Sequence, residues 1–183
     1  MAVASAYRRG KTLYSAVGSV RAVPNRRILG PEEGELYQPA GACGDRFLVN
    51  SREWGGGFSM VEHRLPAKVL AAPLHKHTRE DEFSFILEGT VGAKFGDHEV
   101  IAGPGNLIFK PRGEWHTFWN AGETPARLLE IISPGGLEEL FRCLDRLTED
   151  LSPAELEEII APYGCSADME ATMALAETHG LIF

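Results

Sequence analysis

His75 and His77 are separated by one residue in the segment Leu74-His75-Lys76-His77. On an extended strand both imidazoles project from the same face, about 7 Å apart along the chain, within reach of a single ion. Glu82 opens the next β-like run, and His116 ends the segment Pro111-Arg112-Gly113-Glu114-Trp115-His116. Three imidazoles and one carboxylate form a mixed nitrogen and oxygen donor set, suited to Fe, Mn, Ni, Cu or Zn and unsuited to thiophilic selection. An isolated His-x-His is commonly a surface pair; Glu82 and His116 in register with it make His75, His77, Glu82 and His116 the expected ligands of one divalent transition metal ion per chain. Four protein ligands leave an octahedral ion with open positions, and Glu82 is also expected to act as the catalytic base. Glu80 and Asp81, lying between ligands, are expected to be solvated turn charges.

Aromatic residues crowd these segments: Phe85, Phe109, Trp115, Phe118 and Trp119. They either pack a core or line a pocket. Parity with His116 puts Phe118 on its face and Trp115 and Trp119 on the opposite one. His63 lies in the alternating run Ser59, Val61, His63, Leu65 and can face the same interior. The expected substrate pocket therefore comprises Phe118, His63, Phe85 and Phe109. His98 in a turn and His179 at a helix end read as structural, and Cys43 as a buried small hydrophobe.

Short β-like runs must position these residues. From Arg21 to Gly136 they recur as Phe47–Asn50, Phe58–Leu65, Phe83–Glu88, Val91–Phe95, Glu99–Ala102, Leu107–Lys110, Thr117–Trp119 and Arg127–Ile132, separated by clusters such as Gly103-Pro104-Gly105-Asn106. Strands this short and evenly spaced indicate a β-sandwich or barrel. After Ser133-Pro134-Gly135-Gly136 the period changes: Leu137, Leu140, Phe141, Leu144 and Leu147 form one helical stripe, to be docked on the barrel or on a second subunit. A second helix opens at Ser152-Pro153-Ala154-Glu155 with the signature of a capping box. A third is expected from about Ala167 to His179, with Gly180 as its left-handed cap. The expected organisation is an N-terminal arm at 1–20, a β-barrel at 21–136 and a C-terminal helical extension at 137–183.

The spacing of the ligands resembles that of the cupins, small β-barrel proteins whose two motifs enclose a metal. His75, His77, Glu82 and Gly89 match the first motif, although Val69 stands where that motif has its leading glycine. Gly105, Pro111, Gly113, His116 and Asn120 match the second in full. The resemblance covers about half the chain, from Arg46 to Gly136. It implies a mainly β double-stranded β-helix, a jelly-roll barrel with a single metal site, and a homodimer as the common assembly. Among chemistries found on such sites, it implies first a metal-dependent dioxygenase resembling quercetin dioxygenase, acting on an enolic or aromatic small molecule. The alternatives are a non-oxidative isomerase or polyketide-type cyclase, and a non-catalytic module that binds a small molecule.

Composition narrows the partners. Eighteen Lys and Arg against twenty-six Asp and Glu give a net charge of −8, a poor match for phosphate backbones or anionic membrane surfaces. Neither nucleic acid nor a membrane is an expected partner, and a small-molecule substrate is. Three cysteines without a CxxC pair suggest a reducing compartment, and the absence of a signal-like apolar segment at the start suggests the cytoplasm.

Overall fold

The computed structural model describes residues 28–147 and 151–183. The expected arm at 1–20 lies outside them. Residues 28–34, the described part of the unit Met1–Gly34, hold a turn in which Glu33 N–H donates to the Gly30 carbonyl.

The rest is built on two antiparallel sheets. Eleven strands are described: β1 (Glu35–Tyr37), β2 (Gly44–Val49), β3 (Ser59–Leu65), β4 (Leu74–His77), β5 (Asp81–Glu88), β6 (Val91–Phe95), β7 (His98–Ala102), β8 (Leu107–Lys110), β9 (His116–Asn120), β10 (Ala126–Ser133) and β11 (Cys165–Asp168). One sheet has the order β1-β2-β3-β10-β5-β8 and the other β11-β4-β9-β6-β7. This is the expected mainly β double-stranded β-helix, with helices α1 (Glu138–Asp145), α2 (Pro153–Ile160) and α3 (Met169–His179) following it.

Alternation along the strands sets which residues enter the lumen. On β5 the buried set is Glu82, Ser84 and Ile86, while Phe83 and Phe85 face out. Leu65, Ile86, Val91, Ile108, Phe118 and Leu128 form the apolar part of the lumen. Two features of the matched motifs have direct steric reasons. Gly89 turns with φ +79°, and a Cβ there would lie 2.6 Å from that of Ala126. Asn120 Nδ2 donates to the carbonyls of Leu65, Pro66 and Thr124, and its Oδ1 accepts from Gly122 N–H, so one side chain ties three backbone segments.

The C-terminal region is more closely joined to the barrel than its helical pattern suggests. β11 pairs with β4, setting Ala167 opposite His75 and Cys165 opposite His77, so the sheet takes in residues well beyond 136. Residues 181–183 return to the barrel where the first motif departs from its pattern: Val69 bridges Ile182, whose N–H donates to the Lys68 carbonyl. The α1 stripe is buried as expected at Leu140, with Leu137, Ile132, Ile160 and Cys165, whereas Leu147 at its end is exposed. The α2 cap is a full capping box between Ser152 and Glu155. The third helix starts at Met169 rather than Ala167, because Asp168 accepts from Ala171 N–H as its cap.

Candidate metal centre

Three strands from the two sheets bring the four expected ligands together. β4 carries His75 and His77, β9 carries His116 directly opposite His75, and β5 in the facing sheet carries Glu82. One donor atom from each lies within 4.8 Å of every other. Glu82 Oε1 is 3.6 Å from His77 Nε2, and Glu82 Oε2 is 3.5 Å from His116 Nε2. These are too long for good hydrogen bonds. They do suit donors sharing one ion with bonds of about 2.1 Å.

The imidazoles are prepared for coordination. His75 Nδ1 lies 2.8 Å from the Pro73 carbonyl and His116 Nδ1 lies 2.9 Å from that of Glu114, so each Nδ1–H donates to a backbone oxygen and leaves Nε2 as the lone-pair donor. Among the described residues, His116 Nε2 and both nitrogens of His77 are buried without a hydrogen-bond partner. Buried polar atoms in that state are costly, and an ion at the shared site would satisfy the Nε2 atoms of His77 and His116. Burial, with the neighbouring His116, pushes His75 down to about 3, so it stays neutral and able to ligate. The residues therefore fit one divalent transition ion, which His75, His77, Glu82 and His116 could hold.

Around these four lies a polar seam that composition and spacing did not mark. Lys110 on β8 is fully buried, with Nζ 2.8 Å from Glu82 Oε2 and 2.7 Å from Glu130 Oε2. Ser84 Oγ donates to the same Glu130 oxygen at 2.7 Å. Burial alone would push the Glu82 carboxyl up, but the Lys110 charge, followed by the facing His116 and His77, holds it well below the usual carboxylate range. The signal for Lys110 was its parity: it alternates with Phe109 in Leu107-Ile108-Phe109-Lys110 and must point inward if Phe109 points out.

Glu80 corrects the expectation of a solvated turn charge. It is buried, with Oε2 3.9 Å from His77 Nδ1, and burial raises its carboxyl. Asp81 opens β5 and is held by Arg112 through a two-pronged pair at 3.0 and 2.7 Å.

The pocket residues divide. A cavity of about 460 Å³ takes in His75, Glu82 and Glu130, the expected His63 and Phe118, and the helical residues Leu137, Leu140, Phe141 and Leu144. Phe85 and Phe109 are not in it. They are 39% and 50% exposed on the outer face of the sheet, because each alternates with an inward-facing neighbour, Ser84 and Lys110. Trp119 instead packs against α3 with Leu175, and Trp115 lies under the Lys76 ammonium. His179 pairs with Glu99 at 3.0 Å, a structural role as expected. Cys43 borders the cavity as a thiol, pushed up to about 11 chiefly by burial.

Comparison with known proteins agrees with this geometry. Residues 61–132 match the family model of the cupin domain. Over 60 residues the chain is 32% identical to the tetracenomycin polyketide synthase protein TcmJ of Streptomyces glaucescens, a match spanning 33% of this chain and 40% of that protein. Among solved structures, a predicted oxalate decarboxylase from Thermotoga maritima is 20% identical, with 59% of this chain and 99% of that one covered at a TM-score of 0.55. KdgF from Halomonas sp. is 13% identical, with 62% and 99% covered at 0.54. A sugar phosphate isomerase of the cupin superfamily from Silicibacter pomeroyi is 22% identical, with 58% and 75% covered at 0.51. Residues 61–132, which hold the four candidate ligands, thus match the cupin domain model, and the barrel has the fold of these cupin structures.

Proposed function

We propose that the protein is a metal-dependent enzyme that rearranges an enolisable, polyketide-like small molecule by acid–base chemistry, as an isomerase or cyclase. The observation that carries this reading is that His75 and Glu82 of the candidate ligand set line an apolar cavity, with the buried Glu82 carboxylate held ionised by Lys110. The similarity to TcmJ, described as a polyketide synthase protein, supports the substrate class.

A bound divalent ion would polarise a chelated carbonyl and lower the pKa of the group attached to it. The chain's own residues supply the rest. Leu137, Leu140, Phe141 and Phe118 surround the substrate with apolar surface, where electrostatic contacts are stronger than in water. Lys110 anchors Glu82 Oε2, leaving Oε1 directed toward the site, where it can accept a proton from a carbon next to the carbonyl.

The same donor set also suits Fe, Mn or Ni and thus a dioxygenase resembling quercetin dioxygenase. The two readings separate in one experiment: metal-loaded protein is given a poly-β-ketone with and without oxygen. A cyclase or isomerase yields a product of unchanged mass, or one water lighter, at equal rates in both. A product carrying added oxygen atoms, formed only in air, establishes the dioxygenase instead. Binding without turnover in either condition identifies a non-catalytic binding module.

A further inference from the structure

The cavity wall holds a second polar group, on β2 and β3. Asp45 on β2 and His63 on β3 are cross-strand neighbours in register, both buried, with Asp45 Oδ1 2.7 Å from His63 Nδ1. That contact fixes the ring: Nδ1–H donates to the carboxylate. Nε2 makes no hydrogen bond among the described residues, and His63 lines the cavity. The rings of Phe118 and Phe141 flank it at 5.4 and 5.8 Å, so the imidazole is held between aromatic walls. Cys43 lies 3.9 Å from Nδ1 on the Asp45 side and remains a thiol. α1 contributes Asp145 to the same cavity wall, and its Oδ2 is buried and without a hydrogen-bond partner among the described residues.

We propose that the Asp45–His63 pair is a binding site for an anionic oxygen, such as an enolate, phenolate or carboxylate, in the wall of the same cavity and distinct from the metal ligands. The inference rests on the reading that the cavity takes a small molecule, but it needs no turnover. His63 Nε2–H is the donor, and Asp45 is a positioning residue that keeps the ring turned and charged. Burial opposes a charged His63, yet the Asp45 charge and hydrogen bond outweigh it and raise the imidazole well above its ordinary value. The groups facing the pair are Cys43 before β2, Glu130 on β10 and Asp145 on α1, with Glu35 and Arg142 acting on Asp145. Burial, and then the Asp45 charge, pushes Asp145 up to about 7. Neutral Asp145 leaves room for an anion beside His63; ionised Asp145 competes with it. The site is thus expected to take its anion below about pH 7 and to release it above.

Benzoate, ionised throughout the range, is the probe, titrated calorimetrically into the metal-loaded protein from pH 6 to 8.5. A charge-assisted hydrogen bond is worth about ten- to a hundredfold in affinity, which is the loss expected for His63→Gln. In the wild type, affinity should fall by up to about tenfold per pH unit above 7, and Asp145→Asn should flatten that fall while keeping the binding. The same titration in His77→Ala, which weakens the metal site, should retain benzoate. Should His63→Gln fail to fold by thermal melting, Asp45→Asn takes its place, with weaker binding expected. Absence of benzoate binding to the wild type, or wild-type affinity in His63→Gln or Asp45→Asn, overturns the proposal. Loss in His77→Ala with no loss in His63→Gln would place the carboxylate on the metal instead. Benzoate bound at His63 without conversion of any poly-β-ketone would leave this site standing and remove the enzymatic reading.

Discussion

The two polar groups at the cavity are built in different ways. At the metal site, His75, His77 and Glu82 fall within eight consecutive residues, and His116 sits opposite His75 on the neighbouring strand. At the other, Asp45 and His63 are 18 residues apart, and α1 contributes to the same cavity wall. The first is organised by local spacing and the second by strand register and helix docking. Residues that must converge on one ion leave a short motif; residues that meet only through sheet pairing do not.

The largest effect that would break this comparison is at the metal site. His77→Ala should lose most of the bound metal, measured by plasma mass spectrometry on purified protein, whereas His63→Gln should keep it. Equal losses in both variants would show that the two groups are a single site.

Lys110→Met comes next. It strands two buried carboxylates, Glu82 and Glu130, and should cost about 3–5 kcal/mol in chemical denaturation. Saturating divalent metal should recover part of that cost, because an ion at Glu82 supplies the lost positive charge. A cost left unchanged by saturating metal would mean that Glu82 is not a ligand.

Smaller effects probe the helical wall. Leu140→Ala removes a side chain only 4% exposed between α1 and the barrel and should cost about 2–4 kcal/mol. It should also enlarge the cavity near Phe141 without changing metal content. Ser152→Ala, which deletes one half of the α2 capping box, should cost about 1 kcal/mol. Equal stability of both variants to the parent in urea would show that this wall does not contribute to the folded barrel.

The smallest expected effect is at the exposed Asp81–Arg112 pair beside the ligands. Arg112 lowers the Asp81 carboxyl from 3.8 to about 2. A group whose folded pKa is depressed contributes stability above its unfolded value and loses it as pH falls through the folded one. Asp81→Asn should therefore lower stability slightly at neutral pH and converge with the parent as pH falls from 3.8 to about 2, which flattens the acid side of the curve. A parallel shift of the whole curve would contradict this.

Much of the fold was legible in sequence because alternation and turn residues are local. The runs at Val91–Phe95 and Leu107–Lys110 coincide with β6 and β8, and Ser152-Pro153-Ala154-Glu155 marks the start of α2. The pairing of β11 with β4 was not legible: Cys165-Ser166-Ala167-Asp168 has weak strand character and becomes a strand only because β4 offers it an edge. Phe85 and Phe109 were assigned inward because aromatic content near a site suggests a pocket, whereas the buried polar partners Ser84 and Lys110 fix the opposite parity. The pairing of Lys110 with Glu82 and Glu130, and of Asp45 with His63, depends on which strands become neighbours, and single-strand patterns do not carry that information.

The central claim is that one divalent ion sits among His75, His77, Glu82 and His116. The most direct measurement is anomalous diffraction at the absorption edge of the metal present in crystals of the metal-loaded protein. The account predicts one strong peak per chain at about 2.1 Å from the Nε2 atoms of the three histidines and from a Glu82 carboxylate oxygen. A peak among Cys43, Asp45 and His63, or none within coordination distance of His77 and His116, would contradict it.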